Sequence, residues 1–167
     1  MKERNLEQKK TPMRIDLIRH GMTRGNEERR YIGITDEPLS ERGRKLAEQC
    51  MYEMPEIVFS SPLKRCVETA EILYPDQDIY IIEELRECDF GIFEGKNAEE
   101  LSKTEAYQRW IDSNATIPFP GGESREGFRS RCLLGWKKVI SVCQEQQKKS
   151  AAVVTHGGVI MNLMETV

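Results

Sequence analysis

Residues 13–21 read Met-Arg-Ile-Asp-Leu-Ile-Arg-His-Gly, and this stretch decides the fold class of the chain. Met13–Ile18 is a short, mostly apolar run bounded by Pro12 and Gly21, a pattern that predicts a buried β-strand. The polar pair Arg19-His20 follows the strand directly. In α/β domains the segments that follow the strands carry functional residues, and this stretch fits that arrangement.

Strands and helices alternate along the rest of the chain. Apolar runs predict further strands at residues 57–59, 79–82 and 151–155. Helical spacing predicts a helix after the last strand and others that begin at Ser40, at Ser60-Ser61-Pro62, at Ala98 and at Ser124. The alternation favours a three-layer α/β/α sandwich with a mainly parallel sheet.

Three of these helices have predicted boundaries. The helix from Ser40 carries an apolar stripe up to Pro55, which ends it. The next helix has a serine N-cap and Pro62 at its first position, and the third covers Ala98–Trp110. Glycine, proline and polar residues predict loops at 83–96 and 115–123.

The composition is that of a single domain. Of the 167 residues, 38% are hydrophobic and 32% charged, which is enough to form one core beneath a solvated surface. We expect residues 1–12, which are polar and charged, to be a flexible leader and residues 13–167 to be the domain. The longest apolar runs fall far short of the roughly 20 residues that cross a bilayer. A net charge of −3 provides no broad basic field for nucleic acid, so we expect neither nucleic acid nor membrane as partners.

The cysteines indicate a reducing environment. They are odd in number and widely spaced, which argues against a disulfide framework or a zinc site: Cys50, Cys66, Cys88, Cys132 and Cys143. No cluster of carboxylates has the spacing of metal ligands. We therefore expect a cytoplasmic protein without a metal or cofactor, and the sequence leaves its oligomeric state open.

The chain has two histidines, His20 and His156, and both occupy the same kind of position. Each directly follows a predicted strand and precedes a glycine. The carboxyl ends of parallel strands meet at one edge of a sheet, so the two side chains should face the same crevice. A single histidine at a strand end is more often a hydrogen-bonded structural residue. Two matching cases favour a functional pair.

Arginines accompany the histidines. Arg19 adjoins His20, and Arg65 falls in the first turn of the helix that follows the second strand. By position alone Arg65 would be an ordinary surface residue. However, a guanidinium group and a helix N-terminus both match the oxygens of a phosphate. The pattern therefore predicts a phosphate-binding site at the carboxyl edge of the sheet.

The segment Arg19–Asn26, Arg-His-Gly-Met-Thr-Arg-Gly-Asn, resembles the R-H-G-x-T-x-x-N signature of the histidine phosphatase superfamily, which includes the phosphoglycerate mutases. Five further blocks resemble that family in the same order: Gly33–Gly43, Ser60–Ala70, Leu85–Gly95, Gly121–Ser124 and Thr155–Gly158. An R-H-G tripeptide alone would be weak, but this ordered set spans nearly the whole chain. The blocks are most similar to those of small bacterial phosphatases, such as the α-ribazole phosphatases.

The resemblance implies a phosphoglycerate mutase-like fold and hydrolysis of a small phosphorylated metabolite. His20 would be the nucleophile that becomes phosphohistidine. Arg19, Arg65 and a protonated His156 would bind the phosphoryl oxygens. The reacting nitrogen of His20 must be unprotonated, so its other nitrogen should donate to a fixed acceptor such as a backbone carbonyl. Other implied substrate contacts are Asn26, Thr23, Ile32, Gly33 and Gly157.

The leaving alkoxide needs a proton, and the resemblance assigns its donor to Glu87. Desolvation and a nearby phosphate would raise the pKa of that carboxyl. Asp89 and Glu94 compete on spacing alone, and a carboxylate in a loop is otherwise simply solvated. The acid-phosphatase branch of the family carries an aspartate directly after the second histidine. Here that position is Gly157, so the donor must come from elsewhere.

Two other functions are consistent with the same residues. A phosphoglycerate mutase forms the same intermediate but passes the group to a second substrate hydroxyl. The short segment between Glu87 and His156 favours the phosphatase, because the cofactor-dependent mutases are longer there. A non-catalytic module that binds phospholigands is disfavoured, since all five implied catalytic residues are present. Members of the family usually continue for a few dozen residues beyond the second histidine block, so on this resemblance we expect the domain to be truncated at its C-terminal end.

Overall fold

A four-stranded parallel sheet forms the centre of the structure. The computed structural model describes residues 12–166, so the predicted leader, apart from Pro12, lies outside the described residues. The strands are β1 (Arg14–Arg19), β2 (Ile57–Ser60), β3 (Ile79–Ile81) and β4 (Ser150–Thr155). They are ordered β1-β4-β2-β3, and every neighbouring pair is parallel. The last strand in sequence therefore lies between the first two.

Helices connect the strands and cover both faces of the sheet. Two 3₁₀ turns, Glu83–Leu85 and Gly91–Phe93, follow β3. In the described residues the α-helices are α1 (Arg24–Glu27), α2 (Glu41–Glu48), α3 (Lys64–Leu73), α4 (Ala98–Ser102), α5 (Glu105–Asp112), α6 (Arg125–Glu145) and α7 (Gly157–Met164).

Alternate residues of β4 face two separate hydrophobic cores. Ala151 and Val153 pack in the core that contains apolar side chains of α6 and α7. Ala152 and Val154 pack on the opposite face, in the core that contains Cys66 of α3. Because successive side chains of a strand point to opposite faces, β4 contributes to both cores. The predicted three-layer α/β/α sandwich with a parallel sheet is confirmed.

The predicted strands are confirmed to within a residue or two, but several helix boundaries were wrong. The helix from Ser40 ends at Glu48 rather than at Pro55. Met51 is 96% exposed, so the apolar stripe does not continue into the core. The predicted helix Ala98–Trp110 is two helices, because the Thr104 side chain accepts a hydrogen bond from the Tyr107 N–H and starts a new one.

The start of α3 and the existence of α1 also differ from the sequence predictions. Leu63, not a serine, occupies the N-cap of α3, and Pro62 precedes the helix. The hydroxyl of Ser61 points to His156 instead. The four-residue helix α1 was not predicted, although Thr23 and Asn26 form a reciprocal capping box at its start.

The strand register brings the two histidines to one edge. Arg19 of β1 pairs with Thr155 of β4, so His20 and His156 occupy equivalent positions one residue later. Ser60 of β2 pairs with Val154, which places Ser61 level with Thr155, one residue before His156. No helix within residues 12–166 is long and apolar enough to cross a membrane.

Candidate active site

The rings of His20 and His156 meet edge to face beyond the carboxyl ends of β1 and β4. Their centroids are 5.1 Å apart and their planes are inclined at 62°. The backbone N–H of His20 donates to the carbonyl of Thr155 at 2.9 Å, which continues the strand pairing up to the first histidine. The sheet itself therefore sets the spacing of the pair.

His20 is held in a single tautomer. Its Nδ1 lies 2.7 Å from the carbonyl oxygen of Gly21, and a carbonyl only accepts, so Nδ1 carries the proton. The pKa of His20 is lowered to about 4, mainly because the ring is buried. The charges of Arg65 and Arg19 also lower it, whereas the hydrogen bond to Gly21 opposes the shift. At neutral pH the imidazole is uncharged, and the lone pair of Nε2 is available for attack.

His156 is fully buried and bonded to the loop that leads into α3. The hydroxyl of Ser61 lies 2.8 Å from its Nε2, and Cys66 Sγ lies 3.4 Å from the same atom. Burial, together with Arg65 and His20, lowers the pKa of His156 well below its ordinary value. Burial therefore disfavours the charged form of His156 in the protein alone, and a protonated His156 beside a bound phosphate stays a prediction. A phosphate dianion beside the ring would raise its pKa.

Arg65 is a fully buried cation fixed by main-chain carbonyls. Its two terminal nitrogens donate to Gly33 at 2.6 Å and to Thr35 at 2.8 Å. Burial lowers the pKa of Arg65, but a guanidinium keeps its charge in proteins. Its Nε is buried and has no acceptor among the described residues, so this N–H can donate to an anionic ligand.

Arg19 differs from Arg65 because it is exposed. It lies beside the start of α7, where a Cβ added to Gly157 would be 3.6 Å from Arg19 Nε. The positive charges of both arginines lower the pKa of His20. The two cations thus reach the site from different elements, one from the solvent side and one from the core.

Glu87 is the buried carboxyl of this site. Its Oε1 accepts from the Cys88 N–H at 3.0 Å, and its Oε2 accepts from the Gly158 N–H of α7 at 3.1 Å. Burial raises the pKa of Glu87, and these two hydrogen bonds and both arginines oppose that shift. The packing is close, since a Cβ at Gly158 would lie 2.5 Å from Oε1.

The two competing carboxylates accept hydrogen bonds from backbone N–H groups of nearby loops. Glu94 accepts backbone N–H bonds from Gly33, Ile34, Thr35 and Phe90 at 3.0–3.3 Å. Asp89 accepts the N–H of Gly91 at 2.8 Å within a turn. Of the three candidates, Glu87 is the one that contacts the start of α7 beside His156. Its geometry therefore suits a proton donor better than that of either competitor.

Glu94 and Arg65 hold opposite sides of one loop. The Glu94 carboxylate binds the N–H groups of residues 33–35, and Arg65 binds two of the carbonyls in the same loop. We refer to the loop of residues 33–35 with these two side chains as the loop clamp. It ties the segment after β3 to the buried cation.

Two supporting hydroxyls were missed by sequence reasoning. Thr69 Oγ1 accepts from the Gly21 N–H at 2.9 Å and donates to the Arg65 carbonyl at 2.6 Å. The sequence predicts Ser61 at the start of a helix, whereas in the structure its hydroxyl binds His156. A spacing of four residues puts Thr69 on the same face of α3 as Arg65, and this is the signal that could have revealed it.

Several of the implied substrate contacts already make contacts within the protein. Thr23 is fully buried, and its hydroxyl accepts from the Asn26 N–H in the cap of α1. Ile32 packs on Gly25, while both backbone polar groups of Gly33 belong to the loop clamp. Substrate contact by these residues, and by Gly157, stays a prediction.

The arrangement suits transfer of a phosphoryl group. A neutral imidazole, a buried carboxyl and two guanidinium groups lie at this edge of the sheet, and the guanidinium groups lower the pKa values of both the imidazole and the carboxyl. Phosphoryl transfer needs positioning and neutralisation of oxygen charge more than covalent help from the protein. Within residues 12–166 no group of three or more His, Cys, Asp or Glu side chains is arranged to hold a metal ion.

Comparison with known proteins agrees with the geometry. The family model described as "Histidine phosphatase superfamily (branch 1)" matches residues 15–167, most of the chain. The chain belongs to the histidine phosphatase superfamily. The resemblance predicted from the ordered sequence blocks is therefore confirmed.

Among the relatives of this superfamily member are proteins named as phosphatases and proteins named as mutases. Phosphoserine phosphatase 1 of Hydrogenobacter thermophilus is 35% identical over 71% of this chain, which spans 60% of that protein's length. A probable phosphoglycerate mutase, GpmB of Escherichia coli, is 30% identical over 93% of this chain and 74% of the length of GpmB.

Solved structures of the superfamily have the same fold. A putative α-ribazole-5′-P phosphatase from Escherichia coli superposes with a TM-score of 0.75 at 31% identity, over 89% of this chain and 76% of that one. The α-ribazole phosphatase of Shigella flexneri gives a TM-score of 0.77 at 28% identity, over 91% and 78%. Phosphoglycerate mutase from Bacillus anthracis gives 0.76 at 23% identity, over 92% and 78%, a likeness of fold alone.

Proposed function

We propose that this protein is a phosphatase that hydrolyses a small phosphate monoester through a phosphohistidine on His20. The observation that carries the proposal is the Nδ1 bond from His20 to the Gly21 carbonyl, which directs the lone pair of a neutral Nε2 at the site. In this proposal Arg19, Arg65 and His156 bind the phosphoryl oxygens, and the pairing of the two histidine rings supports it. The superfamily membership of the chain supports the same reaction.

The reaction has two balanced steps. His20 Nε2 attacks phosphorus, a P–N bond forms, and the ester P–O bond breaks as Glu87 gives its proton to the leaving oxygen. Water then attacks the phosphohistidine while the ionised Glu87 accepts its proton. The P–N bond breaks, inorganic phosphate is released, and both side chains return to their starting states. The raised pKa of Glu87 supports its role as acid in the first step.

Phosphoglycerate mutase activity is the second candidate, and the 30% identity to GpmB favours it. The two functions share the first step and differ in the acceptor of the phosphoryl group. The 35% identity to phosphoserine phosphatase 1 and the short segment between Glu87 and His156 favour water as that acceptor. The free cysteines support a reducing cytoplasm as the place of this activity.

A substrate screen separates the two candidates. The purified protein is incubated with a panel of phosphate monoesters, and with 3-phosphoglycerate plus bisphosphoglycerate. We expect release of inorganic phosphate from several esters, and loss of nearly all of it in His20→Ala. Isomerisation of 3-phosphoglycerate faster than phosphate release would show that the protein is a mutase. Binding of the esters without any turnover would favour the non-catalytic module.

A further inference from the structure

A large cavity opens beside the carboxyl group of Glu87. It has a volume of about 430 Å³ and runs from Glu87 and Gly158 toward the segment after α5. Apolar side chains from several elements line it, namely Phe90, Trp110, Ile117, Phe119, Phe128 and Met161. A volume of this size accommodates a small organic group. The cavity is therefore placed to hold whatever is attached to the transferred phosphate.

Stacked aromatic rings form a preorganised wall of this cavity. Trp110 stacks on Phe119 with centroids 5.1 Å apart and planes at 28°, and Phe90 meets Phe119 edge-on at 5.0 Å. Behind them, the fully buried ring of Phe93 contacts Trp110 at 5.8 Å. Side chains that are fixed by packing lose little further entropy when a ligand binds. Such a wall favours flat apolar groups.

The charges around the cavity disfavour a second acidic group on the ligand. Glu123 faces the cavity, and its carboxylate is already paired with Arg131 at 2.6 Å. Among the described residues that line the cavity, the one basic side chain is Arg125, which is 74% exposed and lies 4.0 Å from Glu165. A carboxylate bound beside the aromatic wall would lose its hydration without gaining a buried cation.

We infer that this cavity binds the alcohol portion of the substrate, and that this portion is an apolar, preferably aromatic, group without a carboxylate. The inference rests on the proposed phosphatase function and adds a substrate class to it. It disfavours phosphoserine and phosphoglycerates as substrates, because both carry a carboxylate close to the ester. The neutral amides of Asn114 and Asn162, which also line the cavity, accommodate a hydroxyl group on the ligand.

Three phosphate esters of primary alcohols test the substrate class: 2-phenylethyl phosphate, ethyl phosphate and O-phosphoserine. Their leaving groups are similar alkoxides, so differences in kcat/KM report on the cavity. Burial of the phenyl ring should raise kcat/KM for 2-phenylethyl phosphate over ethyl phosphate by about tenfold or more. O-Phosphoserine should be no better than ethyl phosphate. A preference for O-phosphoserine, or equal values for all three, would overturn the inference.

A matched pair of variants on α7 locates the effect. Met161→Glu introduces a charge at the mouth of the cavity, at a side chain already 65% exposed, and should reduce the preference for the phenyl ester about tenfold. Met164→Glu makes the same change on an exposed residue of the same helix that does not line the cavity, and should keep the preference. Equal effects of both variants would contradict the assignment of the cavity.

Binding to His20→Ala separates this inference from the proposed function. Calorimetry compares the Kd values of 2-phenylethyl phosphate and ethyl phosphate for this variant. If the phenyl ester binds more tightly but the wild type does not hydrolyse it, the role of the cavity is supported and the proposed phosphatase function is contradicted. If the wild type hydrolyses both esters with equal kcat/KM values and the Kd values are also equal, the phosphatase function is supported and the proposed substrate class is contradicted.

Discussion

His20 shows how one residue is prepared for chemistry by its surroundings. Burial keeps the imidazole neutral, and the Gly21 carbonyl fixes the proton on Nδ1. A nucleophile needs both conditions, since a protonated or wrongly oriented ring cannot attack phosphorus. For Glu87 the pKa shift has the opposite direction: burial raises the pKa and favours the protonated acid. In the proposed mechanism the two groups therefore divide the roles of nucleophile and acid between them.

The proposed acid role of Glu87 predicts the pH dependence of kcat/KM. Activity should fall as the pH drops toward about 4, because His20 becomes protonated, and fall again as the pH rises through the raised pKa of Glu87. Glu87→Gln cannot donate a proton, so it should lower kcat by roughly 100-fold or more and lose its alkaline limb. Glu83→Gln, at an exposed position of the same segment, is the control. A wild-type alkaline limb in Glu87→Gln would assign the proton donor elsewhere.

At the scale of elements, loops complete a site that the strands only begin. The register of β1 and β4 places the histidines side by side, but Arg65 owes its orientation to the loop clamp. Glu94 supplies the other half of that clamp by accepting several N–H bonds of residues 33–35. A carboxylate that accepts several backbone N–H bonds is hard to replace, because each donor would lose its partner.

Glu94→Gln should therefore weaken phosphate binding. The amide nitrogen of glutamine would face backbone N–H donors, the loop would shift, and the guanidinium of Arg65 would lose its fixed carbonyl partners. We expect the inhibition constant of inorganic phosphate to rise about tenfold, equivalent to about 1.4 kcal/mol, with a smaller change in kcat. Glu99→Gln on the exposed face of α4 serves as the control. Unchanged phosphate inhibition in Glu94→Gln would show that the clamp does not position Arg65.

The sequence predicted the elements better than their ends. Buried strands were found because a short apolar run bounded by turn residues is typical of a strand in the core, and β4 is buried along residues 151–155. Helix starts failed where tertiary contacts outweighed local signals, as at Ser61, whose hydroxyl binds a residue 95 positions away rather than capping α3. The loop clamp also escaped prediction, because its bonds to Arg65 and Glu94 join residues about 30 and about 60 positions apart.

In the molecule as a whole, the order of the strands is what assembles the site. Placement of β4 between β1 and β2 brings His20, Ser61 and His156 together from the beginning, middle and end of the chain. The sequence predicted a common edge for the histidines, since parallel strands share one carboxyl edge. It did not predict which strands are neighbours, because strand order depends on how the connections pack across the sheet.

The buried histidines should make the stability of the molecule depend on pH. Between 6.5 and about 4 the unfolded chain binds a proton at His20 that the folded protein excludes, so stability falls as the pH decreases. His156 acts in the same direction, whereas Glu87, whose folded pKa is raised, stabilises at low pH and loses that contribution as the pH rises. His20 contributes up to about 1.4 kcal/mol per pH unit in this window.

Urea unfolding at pH 7.5 and 5.5 measures this effect. The wild type should lose stability over that interval, and His20→Asn should lose less because one excluded proton is removed. Lys45→Asn, an exposed change on α2, is the control and should retain the wild-type dependence. Identical pH dependence in His20→Asn and the wild type would contradict the lowered pKa of His20.

The most direct test of the proposed mechanism is to trap the phosphohistidine. The protein is mixed with a hydrolysed ester, quenched in base after milliseconds, digested, and searched by mass spectrometry for a phosphorylated peptide. We predict a phosphoryl group on His20 that is stable to alkali and lost in acid, and none in His20→Ala. Rapid turnover with no phosphorylated His20, or with the phosphoryl group on another residue, would contradict the mechanism.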